Sequence, residues 1–167
     1  MKKPPSLRAA LTAALDPKHH ISKNPDRLLM VATNAVTLAS GRPGSGFEYR
    51  YTLELTFLDF AGDPAEITIP LLLWIQRYQH QMLASPDATT AGMNMTFELL
   101  DAGKYDAHVA LQLTEAVRYA PRDGGGYDVV FIDTPVPMAF EDGEPLHAVF
   151  LDGEQILHCA AHPDLGV

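Results

Sequence analysis

The sequence contains one cysteine, Cys159, in 167 residues, so no disulfide can form within the chain. A single cysteine suits a protein made in a reducing cytoplasm. Long apolar runs are also missing, since the longest one, residues 69–75, is far shorter than the roughly 20 residues of a membrane-spanning helix. Lys2 and Lys3 are followed by no apolar signal-peptide core. We therefore expect a protein that is neither exported by an ordinary signal nor embedded in a membrane.

Positive charge is scarce: 12 Lys and Arg residues stand against 21 Asp and Glu residues, which gives a net charge of −9. Proteins that wrap nucleic acid need concentrated basic surface, and no Lys/Arg cluster supplies it here. Acidity still permits a surface past which DNA slides without binding.

Motifs that carry chemistry are absent or incomplete. His158, Cys159 and His162, with His147 nearby, invite a metal hypothesis, but their spacing completes no recognised zinc set, and no cysteine-hydrolase signature surrounds Cys159. We interpret His19 and His20 as a solvated loop pair.

Three further patterns also fall short of a site. Asp59 and Asp63 lack the regular oxygens and distal Glu of a calcium loop. The glycines near residues 41–46 and 124–126 lack the strand, helix and lysine of a phosphate-binding loop. Trp74 is predicted to pack in the core. We predict no catalytic, cofactor-binding or metal-binding residues, no cofactor, and no enzyme activity.

The composition is typical of a globular protein, since 47% of the residues are hydrophobic and 20% are charged. The length suits one domain. An apolar stripe predicts a first helix with Ser6 as its N-cap and an end at Asp16 and Pro17. A second helix is predicted from Pro70 to about residue 83, followed by a stop at residues 85–87 and a loop at residues 88–92.

Strands are predicted where apolar and polar residues alternate with a period of two. Residues 47–57 alternate cleanly and pair in a hairpin with residues 28–38 through a flexible loop at residues 41–46. Residues 93–99 and 105–114 form a second hairpin, and residues 127–132 a further short strand. The row of Glu48, Arg50, Thr52 and Glu54 is either a solvated sheet face or part of a subunit interface. The expected fold is α+β: a mostly antiparallel sheet of about four strands packed against two helices.

The C-terminal region has a different character. Residues 133–145 contain three prolines and four acidic residues, a composition that resists packing in a core. Asp152-Gly153 between short apolar runs signals a two-residue hairpin turn. We predict a main domain over residues 1–132 and, over residues 133–167, an extended arm ending in a β-hairpin. That hairpin either folds back on its own domain or clips onto a neighbour.

Several stretches occur in the same order as in one known family. They are Lys3-Pro4-Pro5-Ser6-Leu7-Arg8-Ala9-Ala10-Leu11-Thr12, Asn24-Pro25-Asp26, Tyr51-Thr52-Leu53, Asp59-Phe60-Ala61-Gly62-Asp63, Ile69-Pro70 with Leu73-Trp74-Ile75, Leu111-Gln112-Leu113-Thr114-Glu115, and Phe150-Leu151-Asp152-Gly153-Glu154. In these stretches the chain resembles the phage tail completion protein R family.

The resemblance implies a structural protein with a tail terminator-like fold. Such a protein caps the head-proximal end of a contractile tail, ends the growth of tube and sheath, and prepares the joint with the head or collar. It implies a ring of six copies, contacts with tube, sheath and connector proteins, and DNA passing through the lumen. It places the chain in the host bacterial cytoplasm during assembly and then in the virion or a prophage-derived tail-like particle. The alternative is an α+β module that binds a small molecule or peptide between helix and sheet, and a metal-dependent hydrolase is more distant.

Overall fold

The computed structural model describes residues 1–39, 46–100, 103–133 and 148–158. Its helices are α1 (Lys3–His19), α2 (Ala65–Tyr78) and α3 (Pro86–Gly92). Its strands are β1 (Leu28–Ala39), β2 (Phe47–Phe60), β3 (Met93–Leu99), β4 (Tyr105–Pro121), β5 (Tyr127–Ile132), β6 (Ala148–Leu151) and β7 (Glu154–His158). The predicted α+β class is confirmed, with five strands in the main sheet. The predicted loop at residues 41–46 and the arm from residue 133 lie outside the described residues, apart from Gly46 and Asp133.

The main sheet is antiparallel throughout, in the order β1-β2-β4-β3, with β5 also paired to β4. Val117 of β4 pairs with Phe47 of β2 on one side and with Phe131 of β5 on the other. Strand β5 therefore lies on the same side of β4 as β3. Between β3 and β5, the backbone N–H of Thr114 donates to Oε1 of Gln79 (3.4 Å), just after α2. A side chain at a helix end thus fills the gap between two strands.

Strand β1 alternates imperfectly because it contains a bulge. Its pairing with β2 shifts register between Thr33 and Val36, and Asn34 in between has φ = 52°. Asparagine tolerates this left-handed conformation better than most residues. The bulge adds one residue, so the apolar side chains on its two sides return to the same face of the sheet.

The first helix begins earlier and ends later than its sequence predicts. Lys2, not Ser6, is the N-cap residue, and the Ser6 hydroxyl instead accepts a hydrogen bond from Trp74 Nε1 (3.1 Å). Pro17 lies inside the helix, whose end is set by His20 in the left-handed conformation (φ = 53°). The residue before a proline is only biased against helix, and here the buried stripe of α1 outweighs that bias.

The second helical region is also divided differently. Helix α2 begins at Ala65, so Pro70 lies in its interior and not in its first turn. It ends at Tyr78 and is followed by a short 3-10 turn, His80–Leu83. The predicted loop at residues 88–92 is wrong: helix α3 occupies it, capped by Ser85, whose hydroxyl accepts from the Ala88 N–H (3.1 Å).

One core joins the helices to one face of the sheet. The core consists of apolar side chains that are almost inaccessible to solvent, among them Leu7, Leu11, Leu15, Leu53, Leu55, Phe57, Ile67, Leu71, Ile75, Val109 and Leu111. The predicted core position of Trp74 is confirmed, at 4% exposure. No helix in the described part of the chain is long and apolar enough to cross a membrane.

The C-terminal hairpin is present as predicted, with positive φ at both Asp152 and Gly153 in its turn. It packs on α1 and on the core of its own chain. Val149 (5% exposed) and Leu157 (1% exposed) join the core cluster, and Lys18 Nζ of α1 donates to the Ile156 carbonyl (3.1 Å).

Candidate interaction surfaces

The C-terminal histidines predicted not to form a metal site are only partly described. His158 is exposed at the end of β7, whereas His147, Cys159 and His162 lie outside the described residues. Within the described ranges, no group of three or more His, Cys, Asp or Glu residues is placed to hold a metal ion. The prediction that the chain has no metal, cofactor or catalytic site remains a prediction.

His19 is not a solvated loop residue. It ends α1, its side chain is 7% exposed, and its Nε2 lies 2.8 Å from Oε2 of Glu66, a buried residue in the first turn of α2. The ring also stacks on Phe60, with centroids 4.2 Å apart. The packing of α1 on α2 brings these residues together, which spacing along the sequence does not reveal.

Glu66 is the centre of this cluster. Its Oε1 accepts from Lys18 Nζ (2.8 Å) and from the Asp63 N–H (2.9 Å). Burial raises the pKa of the Glu66 carboxyl, but the hydrogen bonds from Lys18, His19 and Asp63 outweigh it and hold that pKa below its ordinary value. Asp59 is bonded elsewhere, since its backbone N–H donates to Asp106 Oδ1 (2.8 Å). The Glu66 cluster is structural, because its bonds to Lys18 and His19 fix α1 to α2.

A second buried carboxylate holds the other end of α1. Glu115 of β4 is 3% exposed and accepts from the Tyr51 hydroxyl (2.5 Å) and from the Lys2 N–H (2.6 Å). It thereby caps the start of α1 in place of the predicted Ser6. Burial first, then the bond to Glu115, raises the pKa of Tyr51.

Among the described residues, the face of the sheet opposite the helices is uncovered, with Arg50 and Glu54 exposed. Residues that pair directly lie on one face, so the apolar row of β1 adjoins the Glu48-to-Glu54 row of β2. The β1 row is half-exposed: Leu29 45%, Val31 55%, Val36 52% and Leu38 44%.

Strand β1 is also an edge strand, since within the described sheet it pairs with β2 on one side and with no strand on the other. Its twelve residues include no charge and no proline. Edge strands usually carry such residues to block pairing with other chains, so β1 lacks the common protection. This open, apolar edge is a candidate contact surface.

The outward side of α1 forms the other candidate surface. Its residues recur at helical spacing and line a shallow groove: Pro5, Arg8, Ala9, Thr12, Ala13, Asp16 and Pro17. Arg8 spans from this groove to β1, where its Nη2 donates to the Leu28 carbonyl (2.9 Å).

Comparison with known proteins identifies relatives of this chain. Residues 1–135 match the family model of the P2 phage tail completion protein R (GpR). The chain belongs to this family. The tail completion protein R of Escherichia phage P2 is 28% identical over 137 residues, which cover 82% of this chain and 86% of that protein. No solved structure matches.

The family match defines which surfaces belong to the shared part of the tail completion protein R family. It covers all three helices and all five strands of the main sheet, including edge strand β1 and the groove of α1. It ends at residue 135, before the hairpin of β6 and β7.

The alternation of apolar and polar residues in the sequence predicted the strands but could not predict the Glu66 and Glu115 clusters, because each cluster joins residues more than 40 positions apart.

Proposed function

We propose that this protein is a tail completion protein that caps the head-proximal end of a contractile tail. In this role it ends the growth of tube and sheath and prepares the joint with the head or collar. The observation that carries the proposal is membership of the tail completion protein R family over the main domain. The named phage P2 relative supports it across most of both chains. The role is structural and needs no catalytic residue.

The proposed assembly is a ring of six copies. A ring requires a head-to-tail contact between two different surfaces of each subunit. The sheet offers two edges on opposite sides: β1 on one, and β3 with β5 on the other. Strand β5 is also apolar and exposed, with Val129 and Val130 each 58% exposed. These edges support ring formation, because strand pairing between copies would satisfy the free backbone groups of β1.

The charge of the chain is compatible with a channel. With a net charge of −9, an acidic lumen would repel DNA that passes through it, and we propose that part of this charge faces the bore. The remaining proposed partners are the tail tube, sheath and connector proteins. Assembly would take place in the host cytoplasm before the protein becomes part of the virion or tail-like particle.

Complementation and imaging test this function. In the complementation test, a P2-type phage that lacks its own tail completion protein R is supplied with this chain, or with a chimaera carrying it, and with the tail proteins that are cognate to this chain. The phage should then produce capped tails of uniform length. Electron microscopy should show the protein at the head-proximal tail end. Purified protein that neither forms rings nor binds tail ends at any concentration would refute the proposal.

A single substitution tests the role of β1. Val31→Lys adds a charge to the edge, at a side chain already 55% exposed, so the fold should lose no more than about 0.5 kcal/mol. Ring formation and tail capping should fall sharply. Thr90→Lys, at an exposed position of α3, is the matched control and should retain both.

The alternative of a ligand-binding module has less support. Its expected groove between helices and sheet is filled by the core side chains of α1, α2, β2 and β4. The groove that does occur lies on the outer side of α1 and not between helices and sheet.

A further inference from the structure

We propose that the tip of the C-terminal hairpin, residues 150–155, docks in the outer groove of α1 of a second copy of this chain. The groove is lined by Pro5, Arg8, Ala9, Thr12, Ala13, Asp16 and Pro17. The inference deepens the proposed ring and rests on it in one respect, that copies meet head to tail. It names a contact that the two edges of the sheet do not supply.

The tip projects from the protein that carries it. The base of the hairpin is anchored, because Val149 and Leu157 are buried in the core. Every residue from 150 to 155 is exposed, and Phe150 reaches 61% exposure. A fixed base with an exposed tip presents the apolar side chains of the tip to other molecules.

The tip does not fill the groove of its own chain. Among the described residues, all seven that line the groove belong to α1, and none belongs to the hairpin. The bond from Lys18 Nζ to the Ile156 carbonyl holds the hairpin at the C-terminal end of α1, where Phe150 and Leu151 are both exposed. The tip that enters the groove therefore comes from another copy.

The charge of the chain is divided between the two surfaces. Residues 1–27 hold six of the twelve Lys and Arg residues but two of the 21 Asp and Glu residues. The tip carries two exposed acidic residues, Asp152 and Glu154, and residues 148–158 contain no Lys or Arg. The region that contains α1 is net positive and the tip is net negative, so opposite charges face each other when a tip approaches a groove.

Arg8 is the cation of the groove itself. Its Nη2 donates to the Leu28 carbonyl (2.9 Å), a neutral acceptor, so the guanidinium charge remains available to a carboxylate. Asp16, the acidic residue of the lining, is already engaged, because its carboxylate accepts from the Ser22 N–H (2.6 Å) and from the Ser22 hydroxyl (2.8 Å). The Glu154 carboxylate of an incoming tip would pair with Arg8.

The groove and the tip also complement each other in side-chain size. Most of the lining consists of alanine, threonine and proline, whereas the tip offers the larger side chains of Phe150 and Leu151. Removing these two side chains from water favours association. Phe150 has the residue type and the central position on the tip of an interface anchor.

A contact of this kind is head to tail. The tip and the groove are different surfaces of one chain, so each copy offers one of each and the contact can repeat around a closed ring. The match to the tail completion protein R family ends at residue 135, before the hairpin. The contact would therefore add to those made by the domain that the family shares.

Disulfide trapping between two separately purified full-length variants tests the contact. In a Cys159→Ser background, one variant carries Ala9→Cys in the groove and the other carries Leu151→Cys or Gln155→Cys at the tip. A disulfide needs Cα atoms within about 7 Å, so mixed dimers form readily only if tip and groove meet. We expect them to form about tenfold faster than mixed dimers of the same tip variant with Thr90→Cys on α3.

A charge exchange tests the pairing that orients the tip. Glu154→Lys in the tip variant replaces attraction to Arg8 with repulsion and should slow the trapping about fivefold, as expected for an exposed pair. Arg8→Glu in the groove variant should also slow trapping of the unchanged tip, but it should restore the rate with the Glu154→Lys tip. Rescue is a result that simple damage to either surface would not produce.

The trapping rates decide whether the tip docks. Faster trapping at the groove than at α3 supports docking between copies. Equal rates at the two positions, with both tip cysteines, would overturn the inference, and so would groove-to-groove dimers that form faster than mixed dimers. Faster trapping without rescue by the charge exchange would overturn the pairing of Arg8 with Glu154.

The tail role can fail separately from this contact. Rings and capped tails without trapping between tip and groove would overturn the contact and leave the tail role in place. Fast trapping by a protein that caps no tails would overturn the tail role and support the contact.

Discussion

The two faces of the C-terminal hairpin give a sharp test of how it is attached. Leu157 is 1% exposed and belongs to the core cluster, whereas Phe150, on the partner strand, is 61% exposed. Truncating a buried leucine to alanine costs about 2–5 kcal/mol. We expect Leu157→Ala to cost about 2–3 kcal/mol, near the lower end, because a two-stranded hairpin can shift to fill part of the cavity. Phe150→Ala should change stability by no more than about 0.5 kcal/mol.

The assay is urea unfolding of both variants. Trp74, the single tryptophan, is 4% exposed in α2 and reports unfolding of the main domain by fluorescence. If the hairpin is part of the cooperative fold, Leu157→Ala should lower the midpoint and Phe150→Ala should not. Equal effects of the two variants would refute the conclusion that the hairpin packs on the core through the face that carries Leu157. An unchanged midpoint in both would show that the hairpin contributes nothing to the stability of its own domain.

Three further substitutions test the buried clusters and the tight turn. Glu66→Gln should cost about 1.5–3 kcal/mol at neutral pH, since it removes charge-assisted hydrogen bonds. Because the pKa of Glu66 is lowered on folding, its contribution is present above the ordinary carboxyl range and lost as pH falls through the lowered value. Urea midpoints of wild type and variant should therefore converge in acid, and a constant gap would contradict this. Gly62→Ala should cost about 1–3 kcal/mol, because its Cβ would lie 2.8 Å from Phe60 Cε1 and 2.9 Å from Glu66 Oε1; a thermal melt unchanged from wild type would argue against that packing. Tyr51→Phe should cost about 1.5–3 kcal/mol through the lost bond to buried Glu115, measured by the same unfolding assay, and a neutral result would mean that Glu115 finds another donor.

The strands were predictable because each is half-buried and alternates along its own length. The clean alternation of β2 and β4 requires no knowledge of their partners, and their register follows from placing the apolar face inward. The hairpin turn at Asp152-Gly153 was predictable for a local reason too, since its conformation favours those residue types.

The helix boundaries were less predictable, because tertiary contacts override local signals. Pro70 indicated a helix start, yet α2 extends back to Ala65 where Glu66 is held by α1. Ser6 has the residue type of an N-cap, but Trp74 occupies its hydroxyl and Glu115 caps the helix instead. The start of each helix therefore depends on contacts with residues that are distant in the sequence.

The sequence by itself determined the α+β class, the strand positions and the family, since periodicity and collinear residues lie along the chain. Only the tertiary structure decided three other features: which carboxylates anchor α1, which edge strand remains open, and where the hairpin packs. Each of these depends on distances between residues 40 or more positions apart, or on which strands become neighbours. Those distances are fixed by burial of the whole core and not by any local stretch.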